Sequence, residues 1–205
     1  MDAKCLSIVV GSIMGDGHLT NTLKSQLCLK YDNKSLPYLK WLHKELAPIG
    51  VRLIKPKPGY HQHQFRTLPS PEMGMLRKLF YPSGIKIVPD EIFGLLISPL
   101  SVAIWYMDDG NLDFRDKYHR SPSFATYNFS QSDCEKLRMV FLKNFSIECS
   151  VHKSTMRSKV YYRLYVLSKS TNDFFKLVSP HIHSCLFYKV RPIRTIETTS
   201  SRGDT

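Results

Sequence analysis

Two aspartates, each followed by glycine at the end of an apolar run, are the residues of this chain best placed to do chemistry. They close the segments Leu6-Ser-Ile-Val-Val-Gly-Ser-Ile-Met-Gly-Asp16-Gly17 and Pro99-Leu-Ser-Val-Ala-Ile-Trp-Tyr-Met-Asp-Asp109-Gly110. A carboxylate at a helix C-terminus faces the negative end of the macrodipole, and two of them side by side repel. Something positive must offset that arrangement. A hard divalent cation bound by carboxylate oxygens, with a phosphate completing its coordination, meets the need. Gly11, Gly15, Ser12, Ser101 and Ala103 are small enough to let two such helices pack backbone to backbone, which would bring Asp16 and Asp109 together. A single apolar helix ending in Asp-Gly is an ordinary helix stop. Two in matched surroundings ask for another explanation.

The surroundings do match. Each Asp-Gly helix is followed by strand-like pieces, an amphipathic helix, two more strands, another helix, and a lysine before a proline: Lys86 in Lys86-Ile-Val-Pro89 and Lys189 in Lys189-Val-Arg-Pro192. The two aspartates stand about 93 residues apart, too far for a solenoid unit and suited to a duplicated small domain. In the first copy Leu39, Leu42, Leu46 and Ile49 recur at helical spacing and stop at Gly50. In the second, Ser132-x-x-Glu135 predicts a capping box ahead of Leu137, Val140, Phe141 and Phe145.

The strands alternate between an apolar and a polar face. Tyr162, Leu164 and Val166 oppose Tyr161, Arg163 and Tyr165; His61, His63, Phe65 and Thr67 oppose Gln62, Gln64 and Arg66. In a strand from Ser25 to Tyr31, Leu27 and Leu29 oppose Gln26, Cys28 and Lys30. The pattern predicts an α+β fold of two tandem αββαββα repeats related by a pseudo-twofold axis. Two antiparallel, saddle-shaped sheets carry helices on one face and a basic groove on the other. The boundaries fall at 1–97 and 98–196, with 197–205 a mobile Ser/Thr-rich tail.

The paired segments resemble the signature helices of LAGLIDADG homing endonucleases over about residues 5–193, and Trp-Tyr-Met-Asp-Asp-Gly is closest to the yeast mitochondrial single-chain type. The resemblance implies that Asp16 and Asp109 are metal ligands and catalytic residues. Asp108 and its counterpart Gly15 are the alternatives should the register differ by one. It further implies Mg²⁺ or Mn²⁺ as cofactor, with Ca²⁺ supporting binding without cleavage. One phosphodiester on each strand would be hydrolysed across the minor groove, leaving short 3′ overhangs. Lys86 and Lys189 match basic residues that such enzymes place near the scissile phosphates, where an ammonium orients solvent or stabilises the transition state.

Charge agrees with a polyanionic partner: 29 basic residues against 17 acidic give +12. Double-stranded DNA would be gripped by Lys153, Arg157 and Lys159 in a hairpin loop. It would be read by Gln26, Lys30, Gln62, Gln64, Arg66, Tyr161, Arg163 and Tyr165. Because the two polar faces differ in sequence, the expected target is long and asymmetric and the protein a monomer. The longest apolar run, Ile92 to Met107, is broken at Ser98-Pro99 and is too short to span a bilayer, so no membrane partner is expected. Five cysteines without a C-x-x-C pair read as buried thiols in a reducing compartment, organellar (mitochondrion or chloroplast) or bacterial. His61-x-His63 and His181-x-His183 lack a third ligand at useful spacing for zinc. Two other functions share the frame: an intron RNA maturase, and a DNA-binding regulator that does not cut.

Overall fold

A computed structural model describes the chain except residues 55–58, 60, 116–118, 157 and 192–205. Arg157, Pro192 and the 197–205 tail therefore lie outside the described residues.

The order of elements is α1 (Ala3–Met14), β1 (His18–Leu19), β2 (Leu27–Asp32), α2 (Leu36–Glu45), β3 (Val51–Ile54), β4 (Gln62–Thr67), α3 (Pro71–Phe80) and the short α4 (Ile92–Leu95). It then repeats as α5 (Pro99–Asp109), β5 (Gly110–Arg115), β6 (His119–Phe124), α6 (Gln131–Phe145), β7 (Cys149–Met156), β8 (Lys159–Val166) and α7 (Thr171–Val178). Both sheets are antiparallel and four-stranded, in the equivalent orders β1-β2-β4-β3 and β5-β6-β8-β7. The duplicated α+β plan is thus realised in full.

Local chemistry sets the helix ends. Asp2 caps α1 by accepting from Cys5 N at 2.7 Å, and Ser98 with Pro99 opens α5. The capping box of α6 lies two residues upstream of the predicted one: Ser130 accepts from Asp133 N at 3.1 Å, and the Asp133 carboxyl reaches back to Ser130 N at 3.3 Å. An aspartate at the third helical position does here what Glu135 was expected to do, so Ser132 falls inside the helix. Helix α2 also stops earlier than its apolar spacing suggests. It ends at Glu45, and a separate 3-10 turn, Ala47–Ile49 with Pro48 inside it, carries the chain to Gly50 at φ 73°. Strand β2 begins at Leu27 rather than Ser25, because the Ser25 hydroxyl bonds the Thr20 carbonyl at 2.6 Å and holds a turn there.

The core is continuous through both halves. Helices α1 and α5 lie at its centre, with Ile8, Val9, Ile13, Val102, Ile104 and Trp105 fully buried. A Cβ built on Gly11 would stand 2.5 Å from the Ser101 carbonyl oxygen, so the two backbones meet where the small residues were noted. Four of the five cysteines are buried, Cys185 is half-buried, and all are free thiols. Burial pushes the Cys5 and Cys149 thiols up to about 11 and about 12, which leaves both inert. Among the described residues no helix is long and apolar enough to cross a membrane.

Candidate functional site

The crossing of α1 and α5 delivers their C-termini to one place. Asp16 and Asp109 both line a pocket of about 210 Å³, together with Gly15, His18, Lys86 and Asn128. The offsetting charge that two helix-end carboxylates require is partly built in. Lys86 Nζ donates to the carbonyls of Ile13 at 2.7 Å, Gly15 at 3.0 Å and Gly17 at 3.4 Å. Lys189 Nζ does the same for the other helix, reaching Met107 O at 2.6 Å and Tyr106 O and Asp108 O at 3.3 Å. Each lysine caps the orphan carbonyls of one signature helix and neutralises the negative end of its dipole. Lys189 is only 8% exposed, a degree of burial that suits a cap more than a group sweeping a phosphate. Desolvation pulls both lysines downward, against the three aspartates that hold them up.

The carboxylates respond in the opposite direction. Burial, then the charge of Asp16, pushes Asp109 up to about 6 despite Lys86 and Lys189. Asp16, at the open side of the pocket, is raised by desolvation and pulled back by the same two lysines. Each group sits where a cation arriving in the pocket would favour its ionised form.

Asp108, the alternative ligand, turns elsewhere. Its Oδ1 accepts from the Tyr31 hydroxyl at 2.7 Å and its Oδ2 from Asp16 N at 3.2 Å, and it does not line the pocket. Burial and then Asp16 push its carboxyl well above the usual range. The Gly15 carbonyl already accepts from Lys86. The donor set facing the pocket is therefore two carboxylates. Among the described residues no cluster of three His, Cys, Asp or Glu could enclose a metal on its own. Two hard oxygen donors beside open space fit an ion of the Mg²⁺ type, which keeps water or phosphate oxygens in its shell. One histidine of each pair is engaged locally: His63 Nε2 with Asn33 Oδ1 at 2.7 Å, and His183 Nδ1 with Cys185 Sγ at 3.0 Å.

The predicted reading faces are sorted by strand register. On the first sheet Arg66 stands opposite Cys28 and Arg52, and Gln64 opposite Lys30 and Ile54. Lys30, Gln62, Gln64 and Arg66 thus share the face away from the helices, and Arg52, which the sequence reading passed over, joins them. Gln26 departs from expectation. It precedes the strand, and its Nε2 bonds Thr67 O at 2.9 Å, so one side of its amide is committed to the protein. Cys28 lies on the open face but is buried, between His18 and Arg66 in the same row.

On the second sheet Tyr161, Arg163 and Tyr165 pair with Ser154, His152 and Ser150, and Lys159 shares their parity. Lys153 is not in a loop: it lies within β7 opposite Tyr162, on the same side of the sheet as Leu164 and Val166. Its one-residue difference from His152 and Ser154 places it on the helix side. Register adds Asn111, Asp113 and Arg115 to the open face, through Ser123, Ser121 and His119. The sequence hides that row because β5 follows Asp109 with no break.

A family model described as the LAGLIDADG DNA endonuclease family matches residues 6–174. Cytochrome b mRNA maturase bI2 of Saccharomyces cerevisiae is 27% identical over 93% of this chain and 48% of its own length. The chain thus spans about half of that relative. DNA endonuclease I-ChuI of Chlamydomonas applanata is 26% identical over 89% of this chain and 92% of its own. Among solved structures, the homing endonuclease I-WcaI bound to its DNA recognition sequence shares the fold with a TM-score of 0.76 at 21% identity, covering 92% of this chain and 87% of that one.

Proposed function

The chain belongs to the LAGLIDADG DNA endonuclease family, and from that premise we propose that it is a site-specific, metal-dependent endonuclease that hydrolyses one phosphodiester on each strand of a long asymmetric DNA target. The observation that carries this reading is the meeting of Asp16 and Asp109, one from each copy of the repeat, in a single pocket at the ends of two crossing helices. A relative named as a DNA endonuclease matches nearly end to end, which supports the same reading.

Asp16 and Asp109 would hold the cation. A bound Mg²⁺ or Mn²⁺ supplies a lowered water pKa and neutralises charge developing at phosphorus. Lys86 and Lys189 fix the helix ends from which both carboxylates project and keep the local field from expelling a second negative group. With Asp109 near 6, its carboxyl sheds its proton in the neutral range, as a ligand must. The halves 1–97 and 98–196 would each present one open sheet face to a half-site. Arg52, Arg66, Gln62 and Gln64 serve the first, and Arg163, Arg115 and the flanking tyrosines the second. Phosphate contacts supply affinity and base-edge contacts the choice of sequence.

Incubating the protein with Mg²⁺ and a genomic or randomised DNA library, then sequencing the cut ends, tests this directly. A recurring asymmetric site with short 3′ overhangs is expected, absent with Asp16→Asn. Uncut DNA under conditions where the protein binds tightly would overturn the reading.

A second reading has its own support, since the matched yeast relative is named as an mRNA maturase. Splicing of a host intron that proceeds unchanged with an Asp16→Asn, Asp109→Asn double variant would assign that role to the scaffold rather than to the pocket.

A further inference from the structure

Asp108 neighbours one pocket aspartate in sequence yet is bonded to the other. Its carboxyl is lodged at the helix crossing. Oδ2 accepts the main-chain N–H of Asp16 at 3.2 Å, and Oδ1 accepts the Tyr31 hydroxyl at 2.7 Å. Tyr31 is itself fixed: it is only 9% exposed and meets Tyr38 edge-on with ring centroids 5.4 Å apart. A chain of contacts thus runs from β2 through a carboxyl of α5 to Asp16, the residue after the Gly15 cap of α1.

The opposite position in the first motif shows that this carboxyl has a reserved place. A Cβ built on Gly15 would stand 2.5 Å from both Asp108 Cβ and Asp108 Oδ2. There is room for one side chain at this level of the crossing, and Asp108 takes it. The result is one-sided. Asp16 N–H has an acceptor supplied by the other helix, whereas Asp109 can receive nothing in return from Gly15, which has no side chain. A duplicated frame is made asymmetric at the residue before each aspartate.

We infer that Asp108 and Tyr31 are positioning residues for Asp16: the Tyr31–Asp108–Asp16 chain fixes where the Asp16 carboxylate stands, and so governs one of the two strand cuts more than the other. The inference rests on the endonuclease reading. Orientation is the physical lever, since a misplacement of about 1 Å in a reacting group costs on the order of a hundredfold in rate. Asp109 lacks this tether, so the strand served mainly from its side is less exposed to the loss.

The test is a single-turnover assay in Mg²⁺ on a target recovered from the wild-type digest, with each strand labelled separately. Asp108→Ala, Asp108→Asn and Tyr31→Phe are compared with wild type, and thermal unfolding and DNA binding in Ca²⁺ are measured on the same samples. Asp108→Ala is expected to slow one strand about a hundredfold and the other much less, so that nicked DNA accumulates. Tyr31→Phe keeps the Asp16 bond but frees the carboxyl to swing, and slows the same strand by about tenfold. Asp108→Asn, which offers one good acceptor instead of two, falls between. Equal strand rates in folded, DNA-binding variants would overturn the inference, as would a uniform slowing that tracks lost fold. Should Asp108→Ala fail to fold, the strand bias of Tyr31→Phe and Asp108→Asn decides the matter alone. A wild-type protein that cuts nothing defeats the endonuclease reading as well, whereas unbiased cutting by the variants defeats this inference only.

Discussion

The two halves share one plan and spend it differently. Their sheets have equivalent strand orders and their signature helices end alike, but the open faces diverge. The first presents Lys30, Arg52 and Arg66 beside Gln62 and Gln64, with one acid, Asp32, at the end of β2 opposite Gln62. The second ties Asp113 to Arg115 at 3.5 Å and to His119 at 3.4 Å, and sets its polar aromatics against one another: Tyr127 edge-on to Tyr161 at 5.5 Å, His152 tilted against Tyr165 at 4.7 Å. Beneath the faces the cores differ too. Trp105, Tyr106, Phe124, Phe141 and Phe174 form an aromatic cluster in the second half, with Trp105 and Phe124 centroids 4.1 Å apart. In the first half the corresponding layer is mostly aliphatic, from Ile8, Val9, Ile13, Leu27, Leu29 and Leu42. Duplication supplies the frame and the paired ends. The halves differ in the residues whose side chains leave the frame.

The largest effect is expected at the paired helix ends, where the halves are alike. Asp16→Asn and Asp109→Asn should each lower double-strand cutting by at least about a thousandfold while sparing binding in Ca²⁺. A plasmid-cleavage time course beside a filter-binding titration reads both. One variant that cuts normally would mean that the halves are not equivalent partners in the pocket.

The cores should separate next. Trp105→Ala removes the centre of an aromatic cluster and should cost about 3–5 kcal/mol, the upper part of what Leu29→Ala costs in the first half. Because α1 and α5 share one interface, urea unfolding of either variant should remain a single transition. Two transitions would show that the halves fold independently.

The faces should separate in salt dependence. Arg66→Ala and Arg52→Ala are each expected to reduce the slope of log Kd against log salt by about 1. Arg115→Ala should reduce it less, since Asp113 already neutralises part of that charge. Fluorescence anisotropy across a salt series measures this, and equal slopes for all three variants would remove the distinction.

The smallest effect concerns protons. Asp109 has an ordinary value of 3.8 and is raised in the fold to about 6, so the native state holds its proton more tightly than the unfolded chain does. The metal-free protein should therefore lose stability as pH rises from about 4 through about 6, an effect that Asp109→Asn diminishes but does not abolish, because Asp16 and Asp108 are raised as well. Urea midpoints for the two proteins at pH 4.5 and pH 7.5 test the sign. In the same window, affinity for a divalent cation should fall as pH drops below about 6.

The repeat, the strand alternation and the paired Asp-Gly ends were legible because each is a pattern with a period. What escaped has no period. Lys153 reads as a loop cation, and only the pairing of β7 with β8 shows it to be a strand residue on the helix side. Gln26 reads as a base reader until its amide is found on Thr67 O. The capping box of α6 was displaced because Ser130 and Ser132 are equally good caps in isolation, and the partner Asp133 selects the first. Lys86 and Lys189 were picked out by their matched context, but nothing in Lys-x-x-Pro says that an ammonium will turn inward to cap a helix. Asp108 and Gly15 were singled out as a register ambiguity. Their complementarity, a carboxyl on one helix filling the space that a glycine leaves on the other, depends on a crossing that no single segment encodes.

The proposed function requires one cation site made jointly by the ends of α1 and α5. Manganese binding followed by electron paramagnetic resonance on the protein bound to its target measures that most directly. Loss of tightly bound Mn²⁺ from both Asp16→Asn and Asp109→Asn is predicted; undiminished binding in either variant would contradict it.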